Sequence, residues 1–114
     1  MDIRIENNGP LRVAYLSGES NNKDSEFLKE ALDDLIAGRG TGIALDLSGL
    51  KTINSSGLSA LIHLNTRSRL AGGYVVLVNP SPFVREVLEI TRLDKLFDFC
   101  ATVEEARVRV GKLY

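Results

Sequence analysis

One cysteine, one histidine, one methionine and no tryptophan stand among 114 residues. Cys100 therefore has no intrachain disulfide partner, and a lone thiol suits a reducing compartment. One histidine and one cysteine cannot build a Cys/His cluster with metal-ligand spacing, so no metal site is expected. Charge of one sign is missing as well. The 14 Lys/Arg and 15 Asp/Glu leave a net charge of −1, which argues against a strongly basic nucleic-acid binder. No window approaches the ~18 apolar residues of a membrane span. The opening MDIRIENNGP has charges at Asp2, Arg4 and Glu6 and no apolar run, unlike a secretory signal or transit peptide. A cytoplasmic protein is the expectation.

What is present is a core. Leu, Ile, Val and Phe supply 37 of the 114 residues, well above the ~20% below which chains stay disordered. A single domain over 1–114 is expected, since this length suffices for one ordinary domain and not two. The charge is slightly uneven, −3 over residues 1–57 and +2 over 58–114.

The apolar spacing switches between two and about 3.6 residues along the chain. Ile3 and Ile5 alternate with Arg4 and Glu6, and Leu11–Leu16 follows after the turn Asn7–Pro10. These runs predict a hairpin. Residues 24–37 predict an amphipathic helix with Phe27, Leu28, Ala31, Leu32, Leu35 and Ile36 on one face, ended by Gly38. A short strand is expected at Ile43–Leu47 and a second, more buried helix from Ser55 or Ser56 to Leu70, closed by Gly72–Gly73. Tyr74–Val78 reads as a central parallel strand. Ser81–Pro82 opens a third helix, with Val84, Val87 and Leu88 turned inward. Phe97–Cys100 alternates as a last strand, and Thr102-x-x-Glu105 is a capping box for a final helix with Val103 and Ala106 facing in. The order β-β-α-β-α-β-α-β-α implies an α/β fold, a mixed but mostly parallel sheet with helices packed on it.

Enzyme chemistry finds little support. There is no G-x-x-x-x-G-K-[ST] loop and no G-x-G-x-x-G after a strand. Ser55 and His63 would be separated by eight helical residues, roughly 12 Å of rise, too far for a hydrogen-bonded pair. His63 is expected at the helix surface or a core edge, and Cys100 as a small core residue. No enzyme activity, catalytic residue or cofactor is therefore assigned. The unusual segment is Leu45 to Leu58, LDLSGLKTINSSGL, which reads strand, loop, helix start. Two adjacent hydroxyls, Ser55 and Ser56, sit where the chain turns into the helix. Taken alone this reads as Asn54 or Ser55 capping a helix, with Gly57 small because something packs closely.

The same segment resembles the STAS domain, in particular stand-alone bacterial anti-sigma factor antagonists. That family's signature is a strand ending in D-L-S, a short loop, then D-S-[ST/A]-G-L at a helix start. Here it is matched by Asp46-Leu47-Ser48 and Asn54-Ser55-Ser56-Gly57-Leu58. Leu16-Ser17-Gly18-Glu19, Ala71-Gly72-Gly73, Pro80-Ser81-Pro82 with Val84, Val87 and Leu88, Leu93–Phe97 and Thr102–Ala106 continue the likeness over nearly the whole chain. The resemblance implies a partner-switching regulator. By position Ser55 is the serine phosphorylated by an ATP-binding serine kinase that is itself an anti-sigma factor, and a PP2C-type phosphatase restores it. Glu19, Ser20, Asn21, Asn54, Ser55, Ser56, Gly57 and Leu58 would form the partner surface. Two positions depart from the family pattern: Asn54 stands where Asp usually precedes the phosphoserine, and Asn21 where G-E-x-D has its Asp. Each keeps the shape and loses a charge, in loops expected to meet at one end of the sheet. An adaptor module used without phosphorylation, for instance on a lipid-transport complex, is the alternative. A small ligand- or nucleotide-binding domain with an anion site at the Ser55 helix end is a third reading.

Overall fold

The computed structural model describes residues 2–8, 11–19, 25–36, 38 and 40–113. Strand β1 (Asp2–Asn8) and strand β2 (Leu11–Glu19) form the expected antiparallel hairpin, with Asp2 opposite Ser17 and Asn8 opposite Leu11. Strand β3 (Gly42–Thr52), strand β4 (Tyr74–Val78) and strand β5 (Asp98–Cys100) follow in parallel, giving one sheet in the order β1-β2-β3-β4-β5. The mixed, mostly parallel α/β sheet is thus as expected. Its central strand is β3; β4 lies between β3 and the three-residue edge strand β5.

Helices cover both faces. Helix α1 (Ser25–Asp33), helix α2 (Ser55–Leu70) and helix α3 (Pro82–Ile90) pack their Leu28, Leu32, Ala60, Leu61, Leu64, Val84 and Leu88 on Leu16, Ile43, Leu45 and Leu77 of the sheet. Helix α4 (Val103–Leu113) covers the opposite face, where Ala106 and Val110 meet Leu11, Val13, Ala44, Val76 and Val78. Right-handed β-α-β crossovers put successive helices side by side on one face, and the chain end closes the other.

Five expectations are corrected. The first helix ends at Asp33 and not near residue 37. Its last turn tightens, with the Leu35 and Ile36 N–H groups bonding three residues back. The Arg12 guanidinium then takes the carbonyls of Asp34 (2.8 Å) and Leu35 (3.2 Å), satisfying acceptors that another turn would have used. Its expected start at residue 24 lies outside the described residues.

The strand expected at Ile43–Leu47 runs on to Thr52. Its register against β2 slips twice, Tyr15 pairing with Asp46 but Ser17 with Gly49, and Gly18 with Leu50 but Glu19 with Thr52. These are β-bulges. The Asp46 carboxylate secures the first, accepting from the Ser48 N–H (2.9 Å) and the Ser48 hydroxyl (2.6 Å). The loop of the D-L-S reading is therefore bulged strand.

The last strand begins at Asp98; Phe97 precedes it with its ring buried in the core. Ser81 precedes α3 as expected, but its hydroxyl makes no cap bond; it donates to the Leu50 carbonyl at 2.8 Å. That bond ties the start of α3 to the end of β3. At α4, Thr102 Oγ1 accepts from the Glu105 N–H (3.1 Å), while the Glu105 carboxylate reaches the Ala101 N–H (2.8 Å), one residue before the usual box partner. Among the described residues no helix is long and apolar enough to cross a membrane.

Candidate functional site

Parallel strands carry their C-terminal ends to one edge of the sheet, and the segment of interest lies there. Only Ile53 and Asn54 separate β3 from α2. Ile53 is buried and anchors the turn. Asn54 is extended (φ −105°, ψ −177°), and its Oδ1 accepts the Gly57 N–H at 2.9 Å. Of the two capping choices open in the sequence, Asn54 is the one used. Its carbonyl accepts the first helical bond, from Leu58, at 3.0 Å.

This leaves Ser55 as the first helical residue, exposed to solvent. Among the described residues its hydroxyl has no hydrogen-bond partner. Ser56 is half-buried, Gly57 is buried and Leu58 is half-buried against the core. The N–H groups of the first helical turn and the positive end of a 16-residue helix face the same solvent as the Ser55 hydroxyl. Glu19 arrives at this end too, exposed and in register with Thr52. The neighbouring Ser20 and Asn21 lie outside the described residues, so the structure brings together Glu19 and Asn54 to Leu58 from the expected surface.

His63 is remote from this chemistry. Its Nε2 lies 3.3 Å from Asp33 Oδ2, and Arg67 Nε lies 3.6 Å from Asp33 Oδ1. Both side chains link α2 to α1 on a half-exposed flank. Cys100 is a buried core residue whose thiol donates to the Thr102 carbonyl at 3.2 Å. Burial pushes its pKa up from the ordinary thiol value, which leaves it a poor nucleophile at neutral pH.

Sequence reasoning did not find the Asp46–Ser48 lock within β3 or the Ser81–Leu50 tether, which joins the last part of β3 to the start of α3. The first had a signal: Asp-x-Ser is the spacing of a local side-chain-to-backbone turn. The Asn54 cap is directly testable. Asn54→Ala leaves the Gly57 N–H without its acceptor and is expected to cost about 1 kcal/mol. Asn54→Asp should keep or improve stability, because a carboxylate caps equally well and suits the positive helix end. Urea unfolding of the two variants measures the difference; equal losses would show that the cap bond does not carry the stability.

The STAS domain family model matches residues 2–106. A Thermotoga maritima protein named as an anti-sigma factor antagonist is 29% identical over 95 residues, covering 82% of this chain and 84% of that one. The anti-sigma factor antagonist SpoIIAA in its unphosphorylated form superposes with a TM-score of 0.82 at 26% identity, over 97% of both chains. The Bacillus SpoIIAA structure in the phosphorylated form gives 0.74 at 26% identity, over 96% of this chain and 99% of that one. With the family model spanning nearly the whole sequence, and the sheet and Ser-Ser-Gly helix start in the arrangement described above, the chain belongs to the STAS domain family.

Proposed function

We propose that this protein is an anti-sigma factor antagonist that works by partner switching. Unphosphorylated, it binds an ATP-binding serine kinase that is also the anti-sigma factor, and so frees that kinase's other client. The kinase transfers the γ-phosphoryl group of ATP to Ser55 Oγ. The Oγ–P bond forms as the bond from Pγ to the β,γ-bridging oxygen breaks, the hydroxyl proton passes to a base of the kinase, and ADP leaves. The phosphorylated protein is released, and a PP2C-type phosphatase hydrolyses the ester. The antagonist is substrate and ligand; it does no catalysis in the cycle.

One observation carries this reading. Ser55 is an exposed hydroxyl at the first position of α2, while the helix cap is supplied by Asn54. A phosphate on Ser55 therefore displaces no cap bond. It meets backbone N–H groups and the positive helix end, both of which favour an anion. Glu19, Ser20, Asn21, Ser56, Gly57 and Leu58 complete the proposed contact surface. The relatives support the partner class through their names, and SpoIIAA exists in a phosphorylated form.

The test is site mapping. With a cognate kinase and ATP, Ser55→Ala is expected to abolish labelling, and Ser56→Ala only to slow it. Phosphopeptide mass spectrometry reads the position. Equal labelling of Ser55 and Ser56, or labelling on another element, would overturn the assignment.

A further inference from the structure

A cavity of about 250 Å³ lies against the second half of α2 and the start of β4. Asn65 and Arg69 line it from α2, and Gly73, Tyr74 and Val75 from the entry to β4, with Asp98 at one side. Asn65 follows Ser55 by roughly 15 Å of helix rise, so the cavity belongs to the opposite edge of the sheet. Asn65 is only 7% exposed. It sits on the inward face of α2 with Leu61, Leu64 and Ser68, where the helix pattern calls for an apolar residue. Its carboxamide has no hydrogen-bond partner among the described residues. An amide left in that state costs free energy that a partner in the cavity would return.

Two further donors belong to the same space. The Tyr74 N–H bonds the Thr41 carbonyl, toward β3, at 3.2 Å. By strand alternation the Val75 N–H then points the other way, toward the β5 side. Pairing with β5 begins only at Val76, opposite Asp98. In a longer ladder the Val75 N–H would meet the Leu96 carbonyl, but no such bond forms among the described residues, although Val75 is buried. An unpaired N–H on a buried residue is uncommon. The Leu96 carbonyl accepts instead from Arg69 Nη2 at 3.2 Å. The rest of the Arg69 guanidinium has no carboxylate at ion-pair distance among the described residues. Asp98 does not supply one. It pairs with Val76, whose side chain faces α4, and its carboxylate meets the Tyr74 hydroxyl there. The α2 side of the cavity therefore gathers one positive charge, a backbone N–H and a buried carboxamide, with no acidic group to pair them.

We infer that this cavity binds the carboxylate of a small organic monoacid. Arg69 supplies the charge and a planar set of donors that matches a carboxylate. The Val75 N–H is a fixed backbone donor to the same group. The Asn65 carboxamide, donor and acceptor at once, takes a carboxylate oxygen or a hydroxyl beside it. One positive charge suits a monoanion; a phosphate dianion would enter with a charge left uncompensated. A few convergent polar groups in a concave site are what orient a small ligand, and the volume leaves room for a short carbon tail and little more. The site stands apart from Ser55 and from the proposed partner surface, so it holds whether or not Ser55 is phosphorylated.

The test is a heteronuclear NMR titration of the isotope-labelled full chain with sodium lactate and sodium acetate. Sodium chloride controls for ionic strength, and inorganic phosphate is the competing anion. Saturable shifts are expected at the Val75 amide, the Asn65 side-chain amide and the Arg69 Nε–H, with a Kd below about 10 mM for lactate, and none at Ser55 or Gly57. Arg69→Gln, at an exposed position, is expected to weaken binding at least tenfold, and Arg69→Lys, which keeps the charge, by less. Melting curves check that both variants fold. No saturable shift at the three groups with either acid overturns the proposal and leaves the donors to water. Unchanged affinity in Arg69→Gln overturns it as well. So do shifts centred on Ser55 and Gly57, which would put the anion at the start of α2. Phosphate binding at the same groups as tightly as lactate overturns the carboxylate assignment.

Discussion

Phosphorylated on Ser55, the protein is expected to bind its anti-sigma factor at least tenfold more weakly, about 1.4 kcal/mol, than the unmodified protein. The two forms are expected to melt within a few degrees of each other. The two halves of this prediction come from different parts of the structure. Stability is spared because the new group enters solvent at the start of α2. Asn54 keeps the Gly57 N–H, Ile53 stays buried beneath the turn, and an anion at the first helical position gains roughly 0.3–1 kcal/mol from the helix dipole. For a chain of this size ~1 kcal/mol moves the melting point by about 4 °C. Affinity is not spared, because the phosphate adds about −1.5 to −2 charges where the unmodified protein presents a neutral hydroxyl. A partner that closes over a hydroxyl must then strip water from a dianion or move away. Calorimetric titration of both forms, with melting curves alongside, separates the effects. A large melting shift with unchanged affinity would contradict a surface switch.

The neutrality of Asn54 sharpens that expectation. A carboxylate in its place would put a fixed negative charge beside Ser55 before any phosphorylation, and the charge added by the kinase would be a smaller relative change. With an amide at the cap, nearly all of the change at this helix end comes from the phosphate. Glu19 remains the nearest described acidic residue contributed by β2, exposed at the end of the strand.

The order of strands and helices was legible in the sequence because each element's apolar spacing agrees with its burial. Leu28 and Leu32, Val84 and Leu88, and Tyr74–Val78 lie where period and composition put them. What was not legible depended on side chains that act across the chain. The end of α1 is set by Arg12, more than twenty residues earlier. The length of β3 is set by bulges against β2, and Ser48-Gly49 after the expected strand looks like loop until the Asp46–Ser48 bonds are seen. Within the candidate site, the Ser-Ser-Gly helix start was legible, but the choice of cap was not. Asn54 and Ser55 are both good capping residues, and only the fold shows that Asn54 makes the cap bond and the Ser55 hydroxyl is left to solvent. Val84, Val87 and Leu88 turn inward as expected, but the exposure of Phe83 was not legible, for a related reason. Val87 shares a helical face with both Leu88 and Phe83, so spacing alone cannot say how far round the helix the sheet reaches.

Gly72 and Gly73 make the other large prediction, because they are needed for different reasons. Helix α2 ends in a Schellman motif: the Gly73 N–H bonds the Ser68 carbonyl at 2.8 Å, and the Gly72 N–H bonds that of Arg69 at 3.0 Å. Gly72 has φ +73° and open space around the position of a Cβ, so Gly72→Ala should cost only the left-handed penalty, about 1–2 kcal/mol. At Gly73 the φ is ordinary, but a Cβ would sit 2.6 Å from the Thr41 carbonyl oxygen and 2.8 Å from Ser68 Oγ. The Thr41 carbonyl cannot retreat without loosening its bond from the Tyr74 N–H, 3.2 Å long, at the start of β4. Gly73→Ala is therefore expected to cost about 3 kcal/mol, at the upper end of overpacking penalties, and to lower the melting point by roughly 10 °C. Ser68→Ala provides the internal check. Its hydroxyl is buried and unpaired among the described residues, so removing it relieves one of the two clashes and strands no partner. The double variant should recover part of the loss, and less than half, because the backbone clash with Thr41 persists. Thermal unfolding of the four proteins decides it. A Gly73→Ala variant no less stable than Gly72→Ala would show that β3 and β4 can part at their starts without cost, and full rescue by Ser68→Ala would show that the Thr41 contact is soft.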